Sequence, residues 1–156
     1  MTSTVTLGKK VPEFSAAATG EKQIHLKDLK GKKVVLYFYP RDSTPGCTTE
    51  GQDFRDNYQA FQKANTEVFG VSQDSLKSHE NFRNKQNFPF DLISDEDGAL
   101  CQLFDVLKMK HMYGKQFEGI ERSTFLIDAT GKLQAEWRKV KVPGHVDEVL
   151  DAAVKL

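Results

Sequence analysis

The sequence predicts an α/β fold, with a central mixed sheet flanked by helices and a short β extension at the N-terminus. Three observations predict it. Val34-Val35-Leu36-Tyr37-Phe38-Tyr39 is a continuous apolar run, the pattern of a strand covered on both faces. A helical stretch leads from it into a second strand, Glu67-Val68-Phe69-Gly70-Val71-Ser72, so the unit is βαβ with parallel strands. Further on, Ser123-Thr124-Phe125-Leu126-Ile127, the turn Asp128-Ala129-Thr130-Gly131 and the alternating residues 133–140 make an antiparallel hairpin.

Residues 1–32 read as the extension, with short strands near 11–14 and 24–26 separated by Thr19-Gly20. Pro40 lacks an N–H and ends the ladder of the strand before it. A helix is predicted over about 45–64, and Asp74 or Ser75 caps a second one running to about 86. Phe88-Pro89-Phe90-Asp91-Leu92-Ile93 is a turn into a short strand. Across 97–104, Leu100, Leu103 and Phe104 recur at helical spacing, whereas 107–119 has no clear period and is expected to be a mobile surface loop beside the reactive site. Pro143-Gly144 breaks the hairpin's second strand, and Val146, Val149, Leu150, Ala153 and Val154 form the apolar stripe of a C-terminal helix. This order of strands and helices is that of a thioredoxin-like fold.

At 156 residues, 38% of them hydrophobic, the chain is the size of one domain, 1–156, with enough apolar side chains for a sizeable core. No repeat, low-complexity stretch or Pro/Gly/Ser-rich linker divides it. Lys plus Arg and Asp plus Glu both number 22, so no net charge attracts nucleic acid or an anionic membrane. Small uncharged or thiol partners fit better. Met1-Thr2-Ser3-Thr4-Val5 lacks the regions of a secretory signal, and no apolar run approaches the roughly 18 residues that span a bilayer. A soluble, cytoplasmic protein is expected, in which a cysteine serves catalysis or packing rather than a structural disulfide. Cys47 and Cys101 match no zinc spacing, and His25, His79, His111 and His145 show neither metal nor triad spacing, so no metal or cofactor is expected.

Cys47 is the candidate reactive atom. Proline favours the first helical position, so Pro45 makes Thr44 the N-cap and Cys47 the third helical residue. A capping hydroxyl reaches the N–H of the second or third residue, which sets Thr44 beside Cys47. The positive end of the helix dipole and its unpaired N–H groups favour a thiolate. At 100° per residue, Cys47 lies about 20° from Phe54 and faces inward, with Glu50 on the same side and Gln52 about 160° away, toward solvent. Cys47 would then floor a pocket roofed by the strand-end loop and Pro40.

Pro40-x-x-x-Thr44-x-x-Cys47-x-x-Glu50 resembles the active-site signature of the peroxiredoxins. Thr44-Pro45-Gly46-Cys47-Thr48-Thr49-Glu50, Ser94-Asp95-Glu96-Asp97 and the stretch from Gly119 through Arg122 to Asp128 are similar to the bacterioferritin comigratory protein, or peroxiredoxin Q, subfamily. The resemblance implies that Cys47 is the peroxidatic cysteine, that Thr44 hydrogen-bonds peroxide and thiolate, and that Pro40 shields the sulfur. It further implies that Arg122 stabilises the thiolate and the reacting oxygens. A carboxylate such as Glu50 suits the orienting of a planar guanidinium. A monomer acting on hydroperoxides is implied as well.

A low thiol pKa alone does not make such a site fast. Lowering a cysteine from about 8.5 to about 6 raises its thiolate at neutral pH about thirtyfold. With a Brønsted slope of about 0.4 to 0.5, the same shift costs roughly ten- to twentyfold in nucleophilicity. Donors aligned on the peroxide oxygens must supply the rest, and Arg122, Thr44 and nearby backbone N–H groups are the candidates.

Many members of this subfamily carry a resolving cysteine five positions along the same helix or in the next one. Here the first position is Gln52, and 75–86 holds no cysteine. Cys101, about 110° from the centre of its helix's apolar stripe, stands at the border of the buried face and reads as a packing residue. A one-cysteine cycle is expected, resolved by an external thiol such as thioredoxin, glutaredoxin or glutathione. Two rivals remain at this level. A disulfide reductase needs Cys-x-x-Cys, and Thr44 occupies its first position. A redox sensor using the same sulfenic acid without efficient turnover is not distinguished by sequence. Lys108, Lys110 and Lys115, interleaved with Met109, Met112 and Tyr113, look superficially like a binding patch but are read as part of the loop.

Overall fold

A computed structural model describes residues 5–156; the reading of Met1 to Thr4 lies outside the described residues. Strand β3 (Lys33–Phe38) is the centre of the molecule. It pairs in parallel with β4 (Thr66–Ser72) and antiparallel with β8 (Ser123–Ile127). With β1 (Ser15–Ala18), β2 (Lys22–His25), β5 (Asp91–Ser94) and β9 (Leu133–Trp137) they form one mixed sheet in the order β2-β1-β5-β4-β3-β8-β9.

The apolar run of β3 is continuous because each face of the sheet has its own core. Val34, Leu36 and Phe38 point into one, and Val35, Tyr37 and Tyr39 into the other. The second core is covered by α1 (Pro45–Asp56), α2 (Tyr58–Lys63), α3 (Leu76–Gln86) and α5 (His145–Lys155), through Phe54, Phe61, Phe82 and Val149 among others. The first is closed by α4 (Ala99–Leu103), the N-terminal segment and a 3-10 turn at Leu26–Leu29. The thioredoxin-like architecture read from the sequence is the one observed.

Several local expectations are corrected. The first strand lies at Ser15–Ala18, not 11–14. Pro12 cannot donate to a ladder, whereas the small Ala16 and Ala18 alternate inward beneath the core. The second strand ends at His25, and Leu26 begins the 3-10 turn. The helix expected over 45–64 is two, because the Asn57 side chain takes the Asp53 carbonyl at 2.8 Å and competes with the backbone ladder. Of the two caps expected for α3, Ser75 is the one that serves, accepting from the Ser78 N–H at 3.1 Å. The helix expected across 97–104 is the short α4, whose Leu100 and Cys101 amides, without intrahelical partners, are taken by the buried Asp95 carboxylate at 2.9 and 2.7 Å. β9 stops at Trp137, and Val154 on α5 faces solvent.

The largest correction is at 107–119. This segment is an antiparallel hairpin, β6 (Leu107–Met112) and β7 (Lys115–Ile120), turning at Tyr113 and Gly114, both at positive φ. It forms a two-stranded sheet of its own. Its strands bury little, so no apolar alternation marks them; Met109, Met112, Tyr113 and Phe117 are exposed. No helix among the described residues is long and apolar enough to cross a membrane.

Candidate active site

Three chain segments meet at Cys47. Strand β3 delivers the chain to Pro40, which is exposed at the strand end. The turn 41–44 reverses into α1, with Ser43 at φ 63. Pro45 opens α1, and Cys47 is its third residue, buried at 2% exposure. Arg122 arrives from the other side, just ahead of β8.

Arg122 grips two groups of α1 at once. Its Nη1 donates to Glu50 Oε1 at 2.6 Å, and its Nη2 lies 3.4 Å from Cys47 Sγ. Glu50 is one turn beyond Cys47, so the sulfur and carboxylate share a face that a single guanidinium fork spans. Gly46 permits the approach, since a Cβ there would sit 3.1 Å from Nη2. The predicted grouping of Cys47, Glu50 and Arg122 is therefore present.

Burial sets the electrostatics. Glu50 is wholly buried, and desolvation pushes its carboxyl up to about 7, with the Arg122 charge pulling the other way. For Arg122 desolvation works against the charge, but its interactions with Glu50 and then Cys47 outweigh it and raise its pKa. On α5, His145 is depressed to about 4 by burial and then by Arg122. Its Nε2 sits 2.8 Å from Thr124 Oγ1.

Thr44 is the N-cap by position, but its hydroxyl makes no cap hydrogen bond. It donates instead to the Arg41 carbonyl at 2.9 Å, inside the turn that the chain must make there. Gln52 also departs from expectation. It is half-buried, and its Nε2 donates to Gln86 Oε1 on α3 at 3.0 Å, because α3 packs closer to that side of α1 than a helical wheel can show.

Cys101 is fully buried, not at a border, and its thiol is pushed up by burial and then by Asp95. It belongs to the core on the opposite face of the sheet from Cys47. Both cysteines are free.

Some contributors carry no signal in the linear sequence. Asp42 anchors the turn before α1, accepting from Tyr39 Oη at 2.7 Å and Ser78 Oγ at 2.7 Å, with His79 Nδ1 also at 2.7 Å. Its own N–H donates to Asp74 Oδ2 at 2.9 Å. Asp42, Asp74 and His79 thus bring ligand-type atoms within 4.8 Å of one another, although His79 has no metal-like neighbour in sequence. These groups satisfy each other as a buried loop anchor. Lys110 of β6 is depressed by burial and then by the Arg122 charge, with Cys47 opposing. Only a motif pairing Asp42 with His79 across 37 positions would have flagged the anchor.

Known proteins share this arrangement of chain. The sequence pattern of the AhpC/TSA family matches residues 7–136. Peroxiredoxin Bcp of Xanthomonas campestris pv. campestris is 57% identical over 140 residues, covering 90% of this chain and 88% of that one. Peroxiredoxin Bcp of Bacillus subtilis is 49% identical over 147 residues, 94% of each chain. A solved structure of the X. campestris bacterioferritin comigratory protein, described for its alkyl peroxide reduction activity, superposes with a TM-score of 0.86 at 54% identity, over 90% of this chain and 89% of that one. On pattern, identity and fold together, the protein belongs to the AhpC/TSA family and, within it, to the Bcp or peroxiredoxin Q group of thiol peroxidases.

Proposed function

We propose that this protein reduces hydrogen peroxide and organic hydroperoxides with Cys47 as the attacking sulfur, and that an external thiol restores it. The observation that carries the reading is the single guanidinium of Arg122 held between Glu50 Oε1 at 2.6 Å and Cys47 Sγ at 3.4 Å. A cation fixed against a buried sulfur stabilises the thiolate and faces the oxygens onto which charge moves. The X. campestris relative described for alkyl peroxide reduction supports the substrate class.

The Cys47 thiolate attacks the terminal oxygen of ROOH. An S–O bond forms, the O–O bond breaks, the sulfur is oxidised by two electrons, and the leaving RO⁻ takes a proton to depart as an alcohol, or as water from hydrogen peroxide. One external thiol then displaces water from the sulfenic acid to give a mixed disulfide, and a second thiol releases Cys47 and carries away the disulfide. Thr44 has its proton committed to the Arg41 carbonyl, so its oxygen offers lone pairs to the O–H of the peroxide rather than a donor to the thiolate. Pro40 shields the sulfur from the strand-end side. The one-cysteine cycle is supported by the burial of Cys101 in the core across the sheet from Cys47. Thioredoxin, glutaredoxin and glutathione are the thiol partners in view, for a monomeric, single-domain, cytoplasmic protein.

Mass spectrometry after one equivalent of peroxide, with a sulfenic-acid trap, tests this directly. An adduct on Cys47 is expected, together with many turnovers when external thiol is supplied and undiminished turnover in Cys101→Ser. A Cys47 to Cys101 disulfide would overturn the one-cysteine cycle, an unmodified Cys47 would overturn the peroxidase reading, and a single stoichiometric event would favour a redox sensor.

A further inference from the structure

We propose that Tyr37 is a positioning residue for the peroxide chemistry. Its hydroxyl is joined to the free oxygen of Glu50 through one bridging water, and so helps keep Glu50 as the anion that holds Arg122 against Cys47.

Tyr37 Oη and Glu50 Oε2 are both buried side-chain polar atoms without a hydrogen-bond partner among the described residues. Leaving such a group unpaired costs about 1–3 kcal/mol. The two are chemically complementary, since a phenol donates and a carboxylate oxygen accepts. Both are buried on the α1 side of the sheet. The Tyr37 ring stacks on Phe54 with centroids 4.4 Å apart, and Phe54 stands one turn after Glu50 on the same face of α1.

The phenol end is wedged in place by the neighbouring strand. A Cβ on Gly70 of β4 would fall 2.8 Å from both Tyr37 Oη and Cζ, so the bare glycine makes room for the hydroxyl. Burial, then the charges of Glu50, Cys47 and Asp42, push Tyr37 ionisation well above its ordinary range, with Arg122 opposing, and Tyr37 stays a neutral donor. The charged groups acting on Glu50 are Arg122 from the segment before β8 and Asp53 on its own helix. Behind Arg122 stand His145 on α5 and Lys110 on β6.

A donor to the ionised carboxylate favours that form, so removing the hydroxyl should make Glu50 harder to ionise. This inference rests on Cys47 and Arg122 being the peroxide-reacting pair. Tyr37→Phe removes one buried oxygen and keeps the ring. The Glu50 side-chain carboxyl carbon, followed by 13C NMR through a pH titration and assigned by its loss in Glu50→Gln, should show a midpoint at least about half a pH unit higher in Tyr37→Phe. The peroxide rate should fall at a correspondingly higher pH, leaving the variant about threefold slower near pH 6 and equal to the wild type near pH 9. An unmoved or lowered Glu50 midpoint overturns the link. A rate shift that persists when Tyr37→Phe is made in the Glu50→Gln protein overturns it too, because Tyr37 would then act by another route. A wild type that consumes no peroxide defeats the Cys47 reading instead, and the NMR midpoint still decides the link.

Discussion

Arg122 does work that its charge alone could not. Its planar fork reaches Glu50 and the Cys47 sulfur together, which a lysine, as a point charge on a flexible stem, cannot do. Arg122→Lys is therefore expected to lower the second-order rate constant for peroxide consumption about 10²- to 10³-fold, the scale of losing an aligned donor in the transition state. Stopped-flow consumption of peroxide measures this, and a loss within threefold would remove Arg122 from the proposed chemistry. Cys47, Glu50 and Arg122 were legible in the sequence through helix spacing and resemblance. The direction of the Thr44 hydroxyl was not, because the Arg41 carbonyl competes for its proton only once the turn has closed.

Helix α1 illustrates how an element's own preferences are overruled by its neighbours. Gly51 is buried in mid-helix, where alanine is intrinsically better by about 1 kcal/mol. A Cβ there, however, would come within 2.4 Å of Phe88 Cζ. Phe88 cannot withdraw easily, since it stacks on Phe90 at 5.2 Å and meets Phe82 edge-on at 5.1 Å. Gly51→Ala is expected to destabilise the fold by about 1–3 kcal/mol despite its better propensity, as read from urea unfolding midpoints at constant m-value. Stabilisation would show that the aromatic cluster is looser than its geometry. The β6–β7 hairpin makes the converse point. A strand pair with little buried side-chain surface leaves no periodic trace, and its turn at Tyr113 and Gly114 is visible only in the folded backbone.

Across the molecule, two buried groups with opposite shifts set the pH response. Glu50 titrates near 7 when folded against an ordinary 4.5, so its contribution is full below about 4.5 and is lost as pH rises through about 7. His145 titrates near 4 against an ordinary 6.5, so its contribution is present above about 6.5 and is lost as pH falls through about 4. The two slopes oppose each other between about pH 4.5 and 6.5. Unfolding free energies measured across this range should therefore rise with pH in Glu50→Gln and fall with pH in His145→Asn. Identical profiles in the two variants would contradict the assignment. Placement across the whole fold also separates the cysteines, one in each core, at the two faces of a single sheet. By itself the sequence determined the βαβ unit and closing hairpin of the main sheet, the doubly covered central strand and the helix-start cysteine, because each is written in local periodicity, capping and turn chemistry. Only the tertiary structure decided which polar groups meet. The Asp42 anchor, the unpaired oxygens of Tyr37 and Glu50, and the burial of Cys101 arise between residues distant in sequence, where hydrogen bonding and desolvation depend on packing that no local pattern records.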